Sequence, residues 1–198
     1  MIADCTALIV AGGDSRRMGR DKASLALGEQ TLLQRVLAVV QPLFADVLVS
    51  VRIRRTDIAL PQVCDACPDG GPLAGLAAGL AAVKTSWIFA VATDMPFLRP
   101  ALIERLASER NGYQAVVAMV DGHPQPLAAF YSISALPVLE DLLAGKEKRS
   151  LRAALTQLNT RCVAESELMA ADPGLRSFFD LDTPQDLSLA IQQEEFGE

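Results

Sequence analysis

Thr6-Ala7-Leu8-Ile9-Val10-Ala11-Gly12-Gly13-Asp14-Ser15-Arg16-Arg17-Met18-Gly19-Arg20-Asp21-Lys22 is the stretch that decides the fold. Its first six residues are a short apolar run that reads as a buried strand. Paired glycines follow, then cations, and a helical pattern begins near Gln30. Glycine lets the backbone approach a ligand closely, and successive N–H groups in such a loop form an anion-binding concavity. Arg16, Arg17, Arg20 and Lys22 outnumber Asp14 and Asp21, inside a chain of net charge −6. Cations concentrated in an otherwise acidic chain point to a localised anionic ligand rather than a polyanion. The loop is not a P-loop, because Arg20 and Asp21 separate Gly19 from Lys22, and it contains no Gly-x-Gly-x-x-Gly fingerprint. Taken alone it is either a phosphate cradle or a glycine turn with a solvated basic face.

A length of 198 residues suits a single domain spanning 1–198. Half of the residues are hydrophobic (51%), yet no uninterrupted apolar run reaches the roughly 18 residues that would suggest a membrane span. The apolar surplus is Ala, Leu and Val, as in a parallel sheet buried on both faces. The acidic balance argues against non-specific nucleic-acid binding. Met1 to Cys5 lacks a basic leader, so no signal peptide is expected and the chain is assigned to the cytoplasm. Of the four cysteines, Cys64 and Cys67 form a C-x-x-C followed by Pro68-Asp69-Gly70-Gly71-Pro72. That is loop chemistry, read as reduced thiols in or near a site rather than a zinc or thioredoxin motif.

Strand and helix patterns alternate along the chain. Strands are expected at Asp46–Val51, Gln62–Cys64, Trp87–Thr93, Ala115–Val120, Leu127–Tyr131, Arg161–Val163 and Ser177–Phe179, with the continuously apolar Trp87–Thr93 run central. Helices are expected at Leu32–Val40, Leu73–Val83 after Pro72, Pro100–Ser108, Leu136–Leu143 and Ser150–Leu158, and after Thr183-Pro184. The Arg52-Arg54-Arg55 run reads as a solvated strand exit. Repeated βα units give an α/β, Rossmann-like, doubly wound and mostly parallel sheet with helices on both faces. Such sheets bind ligands at the carboxyl ends of their strands. The opening loop lies at one such end and Asp94 at another.

Asp94 ends the most apolar strand, where a charge is costly unless paired. Its readings are a Mg²⁺ ligand, since Mg²⁺ takes one or two carboxylates plus substrate phosphates, or an Asx turn before Pro96. Asp180 and Asp182 precede the last helix. One of them serves as its cap, or Asp182 is a second metal ligand if the chain returns beside Asp94. Lys148 and Arg149, within the basic run from Lys146 to Arg152, are either a solvated helix start or a dock for a substrate phosphate or a partner protein. The single histidine, His123, reads as a surface loop residue.

Together these residues resemble the molybdenum cofactor guanylyltransferase family, within the small nucleotidyltransferase superfamily, over Leu8 to about Leu189. The carriers are Val10 to Lys22, Gly71-Pro72-Leu73-Ala74-Gly75, Asp94-Met95-Pro96, Gln125-Pro126-Leu127 and Asp182-Thr183-Pro184-Gln185-Asp186-Leu187. The resemblance implies a Mg²⁺-dependent attack by the molybdopterin phosphate on the α-phosphorus of GTP, with release of pyrophosphate. It places Val10, Ala11, Gly12, Gly13, Lys22, Asp65 and Asp94 on the nucleotide, and Asp94 on the metal. Lys22, Arg16 and Arg17 would supply positive charge with Asp94 and Mg²⁺. Gln125, Pro126, Lys148 and Arg149 are candidates for the molybdopterin side, and molybdenum-insertion proteins or molybdoenzymes are the implied partners. Ser50-Val51-Arg52 stands where the family often has asparagine, and Asp180 and Asp182 stand where it has two more. Related cytidylyltransferases use an aspartate at the Asp182 position as a metal ligand. A cytidylyltransferase on the same cofactor is therefore the alternative, followed by a non-catalytic nucleotide-binding module.

Overall fold

The computed structural model describes residues 1–11, 22–65, 67, 70–145 and 149–196. Gly12, Gly13, Arg16, Arg17 and Lys148 lie outside them, and of Lys22 only the backbone is described.

The opening apolar run forms β1 (Cys5–Val10), fully buried along its length. A small antiparallel ribbon, β2 (Ala26–Leu27) and β3 (Gln30–Thr31), precedes α1 (Leu32–Val40). Next come β4 (Asp46–Val51), β5 (Gln62–Cys64), α2 (Gly71–Ala82), β6 (Trp87–Ala92), α3 (Pro100–Ala107), β7 (Ala115–Val120) and β8 (His123–Ser132). The chain ends with α4 (Leu136–Ala144), α5 (Leu151–Gln157), β9 (Thr160–Val163), α6 (Glu165–Leu168) and α7 (Pro184–Phe196). Seven strands make one sheet in the order β5-β4-β1-β6-β8-β7-β9, so the apolar β6 is the central strand, as expected from its composition.

Alternation along β1 shows why helices cover both faces. Ala7 and Ile9 pack with Val36 and Val40 of α1 and Leu102, Ile103 and Leu106 of α3. Leu8 and Val10 point the other way, onto Leu73, Leu76 and Leu80 of α2, in a cluster shared with Leu139 of α4 and Leu155 of α5. Successive strand residues face opposite sides, so a strand apolar throughout needs cover on both. Phe44, Phe89 and Phe130 fill the first cluster, with ring centroids 4.9 to 6.4 Å apart. Among the described residues no helix is long and apolar enough to cross a membrane.

Three expectations are corrected. The Leu127–Tyr131 strand is longer, His123–Ser132, and it runs antiparallel to both neighbours. Asp121 (φ 50°) and Gly122 (φ 72°) both adopt positive φ, the geometry of a two-residue hairpin turn, and Asp-Gly is a preferred pair for it. His123 accordingly opens β8 instead of sitting in a loop, and it is exposed. The Ser177–Phe179 strand is absent: Pro173–Phe178 coils as 3₁₀ turns, with Gly174 and Leu175 at positive φ. Asp172 captures the Ser177 N–H at 2.9 Å and so removes it from any ladder.

Candidate active site

The chain winds from β1 outward to β4 and β5, then crosses back through α2 to β6 on the other side of β1. The switch point of the sheet therefore lies between β1 and β6, where open α/β sheets bind ligands. Four strand ends meet there in register. Val10 pairs with both Ser50 and Ala92, and Val51 pairs with Cys64. The ladder runs one residue further, through Ala11 N–H to Ser50 O at 2.9 Å and Asp65 N–H to Val51 O at 3.4 Å. Ala11, Arg52, Asp65 and the Thr93-Asp94 turn thus form a row along one edge. Three strand spacings separate Asp65 from Asp94, roughly 14 Å.

Each position has a local cause. Asp94 is half-buried just past buried Thr93, in the turn that ends β6. Asp65 is partly buried at the end of the edge strand. Burial raises its carboxyl above the ordinary range, more than the nearby Arg52 guanidinium lowers it. The α2 helix approaches this edge closely because of its glycines: a Cβ on Gly75 would sit 2.5 Å from Ser50 Oγ and 3.8 Å from Val10 Cγ1. On the far side of β6, β8 stops pairing with it after Ala129 and bulges. Ala128 takes φ 58° there, and the buried Tyr131 hydroxyl donates to Pro126 O at 2.7 Å across the bulge. Gln125 and Pro126 lie on that bulged end, both half-buried.

The chain does return beside Asp94. Leu181 N–H donates to Asp94 O at 2.9 Å, which brings half-buried Asp182 to the same edge. Buried Leu181 packs with Leu27, Leu32 and Ala190, and Phe179 stacks at a tilt on Phe97, 5.6 Å between centroids. The strap 179–183 and the ribbon after Lys22 therefore share one small core. Capping of α7 is done by Thr183 and Asp186: Asp186 N–H reaches Thr183 Oγ1 at 3.2 Å, and Thr183 N–H reaches Asp186 Oδ2 at 2.7 Å. Neither Asp180 nor Asp182 is required for that cap, which removes the plain capping explanation for both.

Arg149 is exposed, and its guanidinium meets Cys67 Sγ at 3.7 Å and Gly145 O at 3.4 Å. It lies between α4 and α5 and touches the β5–α2 connection, whereas Gln125 and Pro126 are on β8, two strands beyond β1. The structure thus separates the two sets of candidates for the second substrate. All four cysteines are free thiols. Sequence reasoning missed two contacts made by backbone and by a basic loop: the Leu181 N–H on Asp94, and the bond from Arg55 to Ser24 Oγ at 3.1 Å. The basic run after β4 is therefore not simply a solvated strand exit. The donors suit a hard cation. Among the described residues no three His, Cys, Asp or Glu side chains converge on a metal position. Asp94 and Asp182 both lie on this edge, and one or two carboxylates are the protein share that Mg²⁺ takes when substrate phosphates complete its shell.

Comparison with known proteins agrees with this geometry. Residues 7–179 match the family model of the MobA-like NTP transferase domain. A probable molybdenum cofactor guanylyltransferase of Chloroflexus aggregans is 39% identical over 92% of this chain and 91% of its own. One from Opitutus terrae is 42% identical over 84% and 89%. The crystal structure of molybdopterin-guanine dinucleotide biosynthesis protein A from Archaeoglobus fulgidus superposes with a TM-score of 0.85 at 28% identity, covering 96% of this chain and 98% of that one. A 2-C-methyl-D-erythritol 4-phosphate cytidylyltransferase from Thermus thermophilus shares the fold alone, with a TM-score of 0.69 at 17% identity over 95% of this chain and 98% of its own. With a family match over most of its length, the chain belongs to the MobA-like NTP transferase family and is a nucleotidyltransferase.

Proposed function

We propose that this nucleotidyltransferase is a molybdenum cofactor guanylyltransferase, moving GMP from GTP onto the terminal phosphate of molybdopterin. The observation that supports the reading is the return of the 179–183 strap onto the Asp94 backbone, which brings the chain at Asp182 to the switch-point edge. The names of the relatives supply the substrates. In the reaction, a molybdopterin phosphate oxygen attacks the α-phosphorus of GTP. The bond from that phosphorus to the bridging oxygen breaks, and pyrophosphate leaves. The attacking phosphate is already ionised near neutral pH, so no strong base is required, in keeping with the single, exposed His123. What remains for the protein is positioning and charge. The Ala11 N–H is bonded to Ser50 O, so the glycines that follow it would bring their backbone N–H groups to the nucleotide. Asp65 lies at the base end of the row, and Lys22, Arg16 and Arg17 neutralise the phosphates. Asp94 and Asp182 would hold Mg²⁺, which supplies the charge stabilisation for the departing pyrophosphate.

Asp182 in place of asparagine favours a second reading, a cytidylyltransferase on the same cofactor. Thermal melting with each Mg²⁺–nucleotide separates the two. GTP is expected to raise the melting temperature more than CTP, and equal or greater stabilisation by CTP would favour the alternative. Asp94→Asn should abolish pyrophosphate release with GTP, Mg²⁺ and molybdopterin while leaving the apo melting temperature unchanged. Loss of a group stabilising developing charge costs on the order of 10²–10³ in rate. Normal turnover by the variant would remove Asp94 from the metal.

A further inference from the structure

Residues 52–61 link β4 to β5 and contain an arrangement that the proposed reaction does not use. Arg55 is locked from three directions. Its backbone N–H donates to Gln62 Oε1 at 2.9 Å, and Gln62 Nε2 returns a bond to Arg55 O at 2.8 Å. Its guanidinium forks onto Asp57, through Nε to Oδ1 at 3.1 Å and Nη2 to Oδ2 at 2.5 Å. The Nη2 group carries two hydrogens, and it also reaches Ser24 Oγ at 3.1 Å. Ser24 closes the single 3₁₀ turn Lys22–Ser24. A 3₁₀ turn takes about three residues, so Lys22 and Ser24 share one turn of backbone.

We propose that Arg55 is a positioning residue for the phosphate-binding segment: oriented by Asp57 and Gln62, it holds Ser24 and through it the backbone of Lys22. The inference rests on the reading of Lys22 as a phosphate-binding residue. Its geometry links the β5 end of the row to the segment that follows the glycine loop. Gln62 begins β5, which ends at Cys64 beside Asp65, while Ser24 follows Lys22. A second tether on the same segment, Arg35 Nη2 to Leu27 O at 2.6 Å, holds the β2–β3 ribbon against α1. Of these two tethers, the one from Arg55 reaches the Lys22–Ser24 turn itself. An ion pair as exposed as Arg55–Asp57, with side chains 22% and 60% accessible, contributes little to global stability. Its role is therefore separable from folding.

The test is steady-state kinetics of the full-length protein with GTP, Mg²⁺ and molybdopterin, for Arg55→Gln, Ser24→Ala, Lys22→Ala and the Arg55→Gln/Lys22→Ala pair. Arg55→Gln and Ser24→Ala are each expected to lower kcat/KM for GTP about tenfold, the size of one charge-assisted hydrogen bond. The KM for molybdopterin and the apo melting temperature should not change. Arg55→Lys, which keeps the charge but loses the fork, should fall between. In the Lys22→Ala background, Arg55→Gln should have no further effect. The proposal is overturned if Arg55→Gln leaves kcat/KM for GTP intact while Lys22→Ala lowers it, or if the two losses multiply independently. If Lys22→Ala itself retains full activity, the reading of the phosphate segment fails and the inference falls with it.

Discussion

Replacing Asp172 by alanine tests how the strap that delivers Asp182 is held in place. Asp172 is fully buried, at 0% accessibility. One oxygen accepts the Ser177 N–H at 2.9 Å, and the other lies 3.3 Å from Arg99 Nε in an ion pair, without a hydrogen bond to it. Ser177 Oγ in turn accepts the Arg99 N–H at 3.0 Å, where α3 begins. A hydrogen bond to an ionised acceptor contributes about 1.5–3 kcal/mol. The Arg99 side chain is 45% exposed, so screening leaves its ion pair worth at most about 1 kcal/mol. Alanine also relieves the cost of a buried oxygen that accepts no hydrogen bond. The net loss is about 2 kcal/mol, which for a chain of this size lowers the melting temperature by about 4–8 °C. Asp172→Asn keeps an acceptor for Ser177 and should lose roughly half as much. Circular dichroism melts of the two variants and the parent measure this directly. A parent-like melting temperature for Asp172→Ala, or an asparagine variant less stable than the alanine one, would refute the anchoring role. With the anchor gone, the Leu181 contact on Asp94 loosens, so half-saturation by Mg²⁺ in the transferase assay should shift upward.

Three further outcomes follow from the packing and the charges. Gly79→Val drives a Cβ to within 2.5 Å of the buried Leu8 Cδ2 and adds two methyls; overpacking of about 1–3 kcal/mol outweighs the gain in helix propensity of about 0.5 kcal/mol, and thermal melts should show a drop. Tyr131→Phe removes the donor to Pro126 O, at about 1 kcal/mol, and should lower the melting temperature by a few degrees without exposing the ring; an unchanged value would mean that the bulge holds itself. The pH dependence concerns Asp65, whose carboxyl is raised by burial in the fold. Its contribution to stability is complete below the ordinary carboxylate value near 3.9 and is lost as pH rises through the raised value. Asp65→Asn should therefore gain on the parent as pH rises from below about 4 toward neutrality, and a parent that gains on the variant over that rise would contradict the assignment.

Much of the fold was legible because β1 and β6 are almost wholly apolar and buried on both faces, which admits little else, and β4 carries the apolar Val47-Leu48-Val49 run between Asp46 and Ser50. Their boundaries in the structure lie within a residue of the apolar pattern. β8 was only half legible. Its inner residues, Ala128 to Tyr131, are buried, but its outer half reads His123-Pro124-Gln125-Pro126, with two prolines and little apolar character. The Asp121-Gly122 turn was the available signal for its reversed direction, and two positive φ angles make it a hairpin. The Phe178-Phe179 pair misled for a related reason. Its rings serve packing, with Phe179 against Phe97, while a buried carboxylate takes the nearby backbone donor.

The site divides along the same line. Residues whose chemistry is local could be named in advance: Asp94 ends an apolar strand, and a charge placed there has to answer to something. Asp182 could be named only conditionally, because nothing near it in the chain says where it lands. The condition is met by a backbone bond, Leu181 N–H to Asp94 O, and by apolar contacts of Leu181 with Leu27 and Leu32, about 150 residues earlier. Backbone bonds carry no residue identity, and contacts between distant segments have no periodicity, so neither leaves a pattern to read. Arg55 illustrates the converse. Its charge was visible, but its partners are Asp57, Gln62 and Ser24. Only the last, 31 residues away, turns a solvated-looking arginine into a brace for the segment that carries Lys22. Where a charged group lies near the switch-point edge of the sheet, its partner decides its role, and that partner is set by the winding of the sheet.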